Sequence, residues 1–116
     1  MITYTFAGLP VSDYGAAYEW YVRLFGRDAD MFPHGTEAVW RLTPTSAVYV
    51  VEDRQRVGSG LLTVAVESLA EQEMQLREAG LVFTELSAGD APRRIAVEDG
   101  DGNRLTFFQD PAQSSG

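Results

Sequence analysis

Two stretches of the chain repeat the same order of structural signals. The first runs from Val11-Ser12-Asp13 through a helical pattern to Gly26, and the second runs from Val66-Glu67-Ser68 through a helical pattern to Gly80. Val11 and Val66 lie 55 positions apart, and the two glycines lie 54 apart. Each copy predicts a strand end, a helix cap, a helix and a stopping glycine, so the fold must be a duplicated unit.

Hydrophobic periodicity predicts an α+β fold built mainly from antiparallel meanders. One helix is expected to follow a cap at Ser12 or Asp13 and to end at Gly26. The other is expected from Ser68 to Gly80, where Ser68 and Glu71 form a capping box. The third meander strand of the first copy has no clear position; it is absent or lies in residues 54–58. The predicted strands cover residues 2–11, 37–42, 47–51, 61–66, 81–86, 93–97 and 105–109.

Chain length and linker composition predict one domain over residues 1–116. Its first module covers about residues 1–55, its second about 61–110, and a polar tail follows at 111–116. A Gly-Ser-Gly hinge at residues 58–60 joins the modules. Units of this size are marginal alone, so a shared core is expected.

Charge and cysteine content exclude several classes of function. Nine basic against 17 acidic residues give a net charge of −8, which opposes nucleic-acid binding. The absence of cysteine removes disulfides, thiolate metal sites and cysteine nucleophiles. No run approaches the roughly 18 apolar residues of a membrane span, and no signal peptide is recognisable. A soluble cytoplasmic protein without nucleic-acid or membrane partners is expected.

Several motifs in this order resemble the vicinal oxygen chelate superfamily, which contains glyoxalase I, extradiol dioxygenases, fosfomycin-resistance enzymes and bleomycin-binding proteins. The resemblance covers almost the whole chain. It implies two βαβββ modules that form a curved mixed sheet with helices on the convex side, and a homodimer with pockets between modules. The motifs are Leu9-x-Val11-Ser12-Asp13, Trp20-Tyr21-x-x-Leu24-Phe25-Gly26, Val66-Glu67-Ser68-Leu69, Ala79-Gly80, Arg93-Arg94 and Asp99-Gly100-Asp101-Gly102-Asn103-Arg104-Leu105.

The superfamily's enzymes hold a divalent metal with His, Glu or Gln side chains from four strands. At the corresponding positions this chain carries Phe6, Tyr49, Leu61 and Thr106. Phe and Leu have no lone pair to donate, and Thr and Tyr are poor ligands for a dication. The resemblance therefore implies the metal-free branch, without a metal or other cofactor. Whether the protein is an enzyme stays open, because the alternative interpretation is a metal-dependent enzyme of the glyoxalase or dioxygenase type that uses other ligands.

Strand alternation predicts which side chains share a face with these four positions. The resemblance implies that this face lines a cavity, where aromatic side chains stack on a flat or cationic ligand. The alternative is that they fill the cavity and leave an inert module. At Trp40, alternation could equally turn the neighbouring Arg41 inward. Arg94 and Arg104 lie at the rim or on the open surface. The candidate ligand-binding residues are Phe6, Gly8, Trp40, Tyr49, Leu61, Thr63, Thr106 and Phe108.

Two further motifs have simpler interpretations than a metal site. His34 is the single histidine of the chain and lies in a Phe-Pro-His-Gly loop, which predicts a surface position or a lid. The acidic stretch 99–103 lacks the final glutamate and the helices of an EF-hand, so it is expected to form a hairpin turn. The predicted function is sequestration of a small aromatic or cationic compound, such as an antibiotic.

Overall fold

Each half of the chain forms a four-stranded mixed sheet and one helix in the computed structural model, which describes residues 1–86, 89–90 and 92–111. The chain divides into two units. The first contains Met1–Gly60 together with Asp99–Asn103, and the second contains Leu61–Glu98 and the chain from Arg104 onward. The expected α+β fold with two βαβββ modules is confirmed.

The first unit contains five elements. They are β1 (Thr5–Val11), α1 (Tyr14–Phe25), β2 (Met31–His34), β3 (Glu37–Thr43) and β4 (Ser46–Glu52). The strand order is β1-β4-β3-β2. Strand β1 runs parallel to β4, and the other neighbours are antiparallel. A parallel pair requires a long crossover connection, and α1 lies within that connection.

The second unit repeats this arrangement. Its elements are β5 (Leu61–Val66), α2 (Leu69–Glu78), β6 (Thr84–Glu85), β7 (Arg94–Glu98) and β8 (Arg104–Gln109). The order is β5-β8-β7-β6, with β5 parallel to β8. No helix in the described part of the chain is long and apolar enough to cross a bilayer.

The missing strand of the first meander is β2, which lies before β3 in a stretch predicted to be a loop. The alternative position at residues 54–58 is wrong, because these residues form turns. Pro33 interrupts the sequence signal for β2, yet proline is tolerated in a strand at the edge of a sheet. Two other strands are shorter than predicted: β1 begins at Thr5 rather than at residue 2, and β6 covers only two residues of the predicted 81–86. The predicted loop at 87–92 and the tail lie partly outside the described residues.

Both helices begin as their sequences predict. The Asp13 carboxylate accepts a hydrogen bond from the Ala16 N–H, and the Ser68 hydroxyl accepts one from the Glu71 N–H. Helix α1 ends at Gly26, whose φ of 73° is the left-handed conformation that glycine adopts without strain. These caps fix where each helix starts relative to the strand before it.

Aromatic packing joins α1 to the first sheet. The Trp40 ring on β3 is fully buried and lies 5.2–6.2 Å from the rings of Tyr18, Tyr21 and Phe25 on α1. The Trp40 indole N–H donates to the Arg27 carbonyl at 3.0 Å. Because Val48 is opposite Trp40 in register, this contact identifies the face of the sheet that α1 covers.

The predicted hairpin turn at Asp99–Asn103 is confirmed, and it belongs to the first unit. Asn103 is fully buried; its amide donates to the Pro10 carbonyl and to Asp99, and its amide oxygen accepts from the Gly60 N–H. Asp99 also accepts a 2.6 Å bond from the Tyr21 hydroxyl, and burial followed by this bond raises the pKa of Tyr21 well above its usual value. The two ends of the turn, Asp99 and Asn103, are therefore buried and hydrogen-bonded, while Gly100 and Gly102 between them are exposed.

Candidate ligand-binding faces

The face of the first sheet opposite α1 carries two of the predicted ligand-binding side chains and one glycine. Phe6 is opposite Ala47 and Gly8 is opposite Tyr49, so alternation places Phe6, Gly8 and Tyr49 on one face. Phe6 is 59% exposed, and Tyr49 is partly exposed. We call this surface the first open face.

The Tyr49 ring lies directly over Gly8. A β-carbon built at residue 8 would approach the Tyr49 ring carbon Cζ and hydroxyl oxygen to 2.6 Å, closer than any normal contact. Glycine is thus required for the position of this ring, as expected where another group approaches a strand backbone. The predicted close approach at Gly8 is present, and the approaching group is Tyr49 of the same unit.

We expect Gly8→Ala to displace the Tyr49 ring and to reduce the free energy of unfolding by about 1 kcal/mol, the low end for overpacking, since a side-chain end can move. The double variant Gly8→Ala/Tyr49→Ala removes the clash. Chemical denaturation of the two single variants and the double variant measures the coupling. Strictly additive changes in the free energy of unfolding would show that the position of the Tyr49 ring does not depend on Gly8.

The face of the second sheet opposite α2 carries four more of the predicted ligand-binding residues, namely Leu61, Thr63, Thr106 and Phe108. The Gln109 side chain accepts a hydrogen bond from the Leu69 N–H at the start of α2, which places alternate residues of β8 on the helix side. Thr106 and Phe108 therefore lie on the opposite face, where register places Thr63 beside Thr106. Leu61 lies on this face and is 81% exposed. We call it the second open face.

Trp40 does not lie on an open face, which corrects its inclusion among the predicted ligand-binding residues. Val39, not Trp40, is opposite Tyr49, and Arg41 lies on the same side as Val39. Strand β3 is therefore oriented so that Arg41, and not Trp40, is on the open face. Trp40 is instead core, because α1 supplies three rings that cover it. His34 is exposed and its ring Nε2 lies 2.9 Å from the Glu37 carboxylate, as expected for a surface position.

A separate cleft of about 560 Å³ lies in the first unit between α1 and the 99–103 turn. Trp20, Ala16 and Arg23 contribute to its lining. The Ser12 hydroxyl donates to Asp101 at 2.7 Å, and Asp99 is bonded to Tyr21. These polar groups already pair with one another, so they hold the turn against α1 rather than offering free partners to a ligand.

A solved structure decides the family. The chain is similar to a glyoxalase/bleomycin resistance protein from Catenulispora acidiphila, with 33% sequence identity and a TM-score of 0.87 over 93% of this chain and 98% of that one. The chain belongs to the glyoxalase/bleomycin resistance protein family. This membership confirms the resemblance to the vicinal oxygen chelate superfamily. Comparison with protein-family models and with curated proteins found no match.

Two less similar solved structures show that this fold contains proteins of different function. A bleomycin-binding protein solved with bleomycin has 20% identity and a TM-score of 0.68, covering 91% of this chain and 97% of that one. A lactoylglutathione lyase from Agrobacterium tumefaciens has 13% identity and a TM-score of 0.73, covering 90% and 91%. Identity this low supports the shared fold alone, so the function of this family member must be argued from its own side chains.

The four residues predicted at the family's metal-ligand positions, Phe6, Tyr49, Leu61 and Thr106, do not suit a divalent ion. Phe6 and Leu61 have no donor atom, and each is more than half exposed. The Tyr49 phenol and the Thr106 hydroxyl are neutral oxygens that bind dications weakly without carboxylate support. Within residues 1–86, 89–90 and 92–111, no three His, Asp or Glu side chains cluster as a metal site requires.

Proposed function

We propose that this protein binds a small planar, partly aromatic molecule without a metal and without altering it, as an antibiotic-sequestering protein does. One observation supports this most strongly. Each open face presents an accessible apolar side chain, Phe6 on the first and Leu61 on the second, at a position where the resemblance to the family's enzymes predicts a metal ligand. The bleomycin-binding relative shares the fold and is a precedent for binding.

Exposure of the apolar groups supplies the energy for binding. Covering apolar surface stabilises a complex by about 25 cal/mol per Å², before the costs of association and ordering. Phe6 and the neighbouring Tyr4 ring, whose centroid is 4.7 Å away, form one aromatic surface. Leu61 on the second open face is more exposed still. A flat ligand that covers either surface gains more from apolar burial than from one hydrogen bond between neutral groups.

We assign the binding role to the residues of the two open faces. Phe6 and Tyr49 act on the first, where Gly8 fixes the ring of Tyr49. Leu61 and Phe108 supply apolar contact on the second, while Thr63 and Thr106 supply hydroxyls that orient the ligand. The charge of −8 draws cationic compounds toward the protein at long range.

The proposal includes a homodimer that acts in the cytoplasm. Phe32 and Met74 are large apolar side chains outside both open faces that a monomer leaves in water, and a second copy of the chain would reduce this exposure. Sedimentation at micromolar concentration measures the mass directly. A monomer at every concentration tested would remove this part of the proposal.

The binding proposal is tested by calorimetric titration in EDTA with bleomycin and with a series of naphthalene derivatives. Tryptophan quenching is a poor reporter, because Trp40 lies on the helix side of its sheet and Trp20 lies in α1 itself. We expect Phe6→Ser and Leu61→Ser each to weaken binding about tenfold or more, since each loses apolar contact with the ligand. Both residues are exposed, so stability should change by no more than about 0.5 kcal/mol.

Val82→Ser is the matched control. Val82 is 89% exposed and lies outside the strands, so its substitution removes an exposed apolar group without changing either open face. Its affinity should equal that of the unmodified protein. Binding that all three substitutions leave unchanged, or that EDTA abolishes, would contradict the proposal.

A further inference from the structure

The second open face has a regular arrangement of three rows across β7, β8 and β5. Arg94 is opposite Phe108, which is beside Ala65. Ala96 is opposite Thr106, which is beside Thr63, and Glu98 is opposite Arg104, which is beside Leu61. An apolar group and an arginine therefore stand in each outer row, and small side chains fill the middle row.

The side chains of the middle row are small, and Thr63 and Thr106 are accessible while Ala96 is buried. Adjacent strands lie about 4.8 Å apart, so three strands span roughly 10 Å, close to the length of a two-ring aromatic system. Phe108 and Leu61 lie on either side of this strip, in the outer rows. A planar ring system that lies over Thr63 and Thr106 in the middle row would therefore contact apolar groups on both sides.

The two arginines on this face differ in their partners. Arg104 forms an ion pair with Glu98 at 3.2 Å, so its charge is balanced locally. Arg94 donates one hydrogen bond to the Leu86 carbonyl at 3.2 Å. Across the part of the chain that the structure describes, no carboxylate pairs with Arg94. Guanidinium has five N–H donors and stays charged, so Arg94 has donors left for an acceptor on a ligand.

Local charge on this face opposes the overall charge of the protein. The net charge of −8 acts at long range, but its field is screened over about 8 Å at physiological ionic strength. A ligand oxygen in contact with Arg94 is well inside that distance, and a stacked ring beside it removes water. Contact with Arg94 therefore outweighs the distant acidic charges for a bound anion.

We propose that the second open face selects planar aromatic ligands that carry an anionic oxygen, a carboxylate or phenolate, which Arg94 binds while Phe108 contacts the ring. This inference rests on the proposed binding function and narrows its ligand class. It differs from the cationic preference that net charge alone suggests. Arg94 is the specificity-determining residue, and Phe108 contributes affinity for any aromatic ligand.

The test compares 2-naphthoate, 2-naphthamide and 2-naphthylmethylammonium, which share one ring system and differ in charge. We expect calorimetry to show about tenfold tighter binding of the carboxylate than of the amide, the scale of a hydrogen bond to a charged group. Arg94→Gln should remove that preference and leave the amide affinity within about twofold. Arg94→Lys should retain part of it, because charge remains without the planar fork.

Arg54→Gln is the matched control, since it makes the same change in net charge at an exposed turn outside both faces. Its preference for 2-naphthoate over 2-naphthamide should equal that of the unmodified protein. Equal affinity for carboxylate and amide, or a preference that survives in Arg94→Gln, overturns the inference while aromatic binding stands. Failure of all three compounds to bind overturns both the inference and the proposed function.

Discussion

Trp40→Ala is expected to lower the free energy of unfolding by about 3–5 kcal/mol, the range for deleting a large buried aromatic side chain. Trp40 is fully buried and packs against three rings of α1, so truncation leaves a cavity between helix and sheet. The Arg27 carbonyl also loses its indole donor. Urea denaturation followed by far-ultraviolet circular dichroism measures the change.

Trp40→Phe separates packing from ligand binding. It keeps most of the apolar volume and loses the indole hydrogen bond, which contributes about 1 kcal/mol. Its affinity for the ligands tested above should equal that of the unmodified protein, because residue 40 lies on the helix side of the sheet. A loss of affinity in this stable variant would place Trp40 in the site and contradict the assignment of the open face.

Asn103→Ala is expected to cost about 2–4 kcal/mol, because it leaves several buried polar groups without partners. Its side chain bonds the Pro10 carbonyl at 2.8 Å and the Gly60 N–H at 2.7 Å, and it also bonds Asp99. The Asn103 side chain is also closely packed, since a β-carbon built at Gly60 would lie 2.8 Å from the Asn103 amide oxygen. Thermal and urea unfolding both report the loss.

Asn103→Asp is the informative companion variant. It conserves shape but replaces the donating NH₂ with an oxygen that faces the Pro10 carbonyl and the Asp99 carboxylate. It should therefore be at least as destabilising as alanine, because the new oxygen faces two acceptors with no hydrogen to share between them. Gln55→Ala, an exposed amide truncation, should change stability by less than about 0.5 kcal/mol. Full stability of Asn103→Asp would show that these hydrogen bonds do not hold the turn.

Local signals predicted most of the fold because they are determined by nearby residues. The Asp13 and Ser68 caps depend on backbone groups three residues away, and the strand bounds of β5 agree with the alternation of its side chains. The duplication then supplied the element order. Alternation also placed Phe6 with Gly8 and Thr106 with Phe108, since register follows from period two.

The errors arise where long-range packing overrides local pattern. Strand β2 contains Pro33, a strand breaker in sequence terms, yet pairing with β3 on one side is enough to form an edge strand. Val39 and Trp40 are adjacent apolar residues and both are buried, so the sequence has no signal for which one faces α1. Asn103 lies in a stretch of Asp and Gly that predicts a hairpin turn, and only tertiary contacts with Pro10 and Gly60 bury its side chain.

The central claim is that the open faces bind an aromatic molecule without a metal. An amide chemical-shift titration of ¹⁵N-labelled protein with 2-naphthamide in EDTA tests it most directly, because it reports residue by residue and does not depend on Arg94. We predict the largest shifts at Phe6, Gly8, Tyr49, Leu61, Thr106 and Phe108. Shifts confined to the cleft at Ser12, Ala16 and Asp101, or no shifts at millimolar ligand, would contradict the claim.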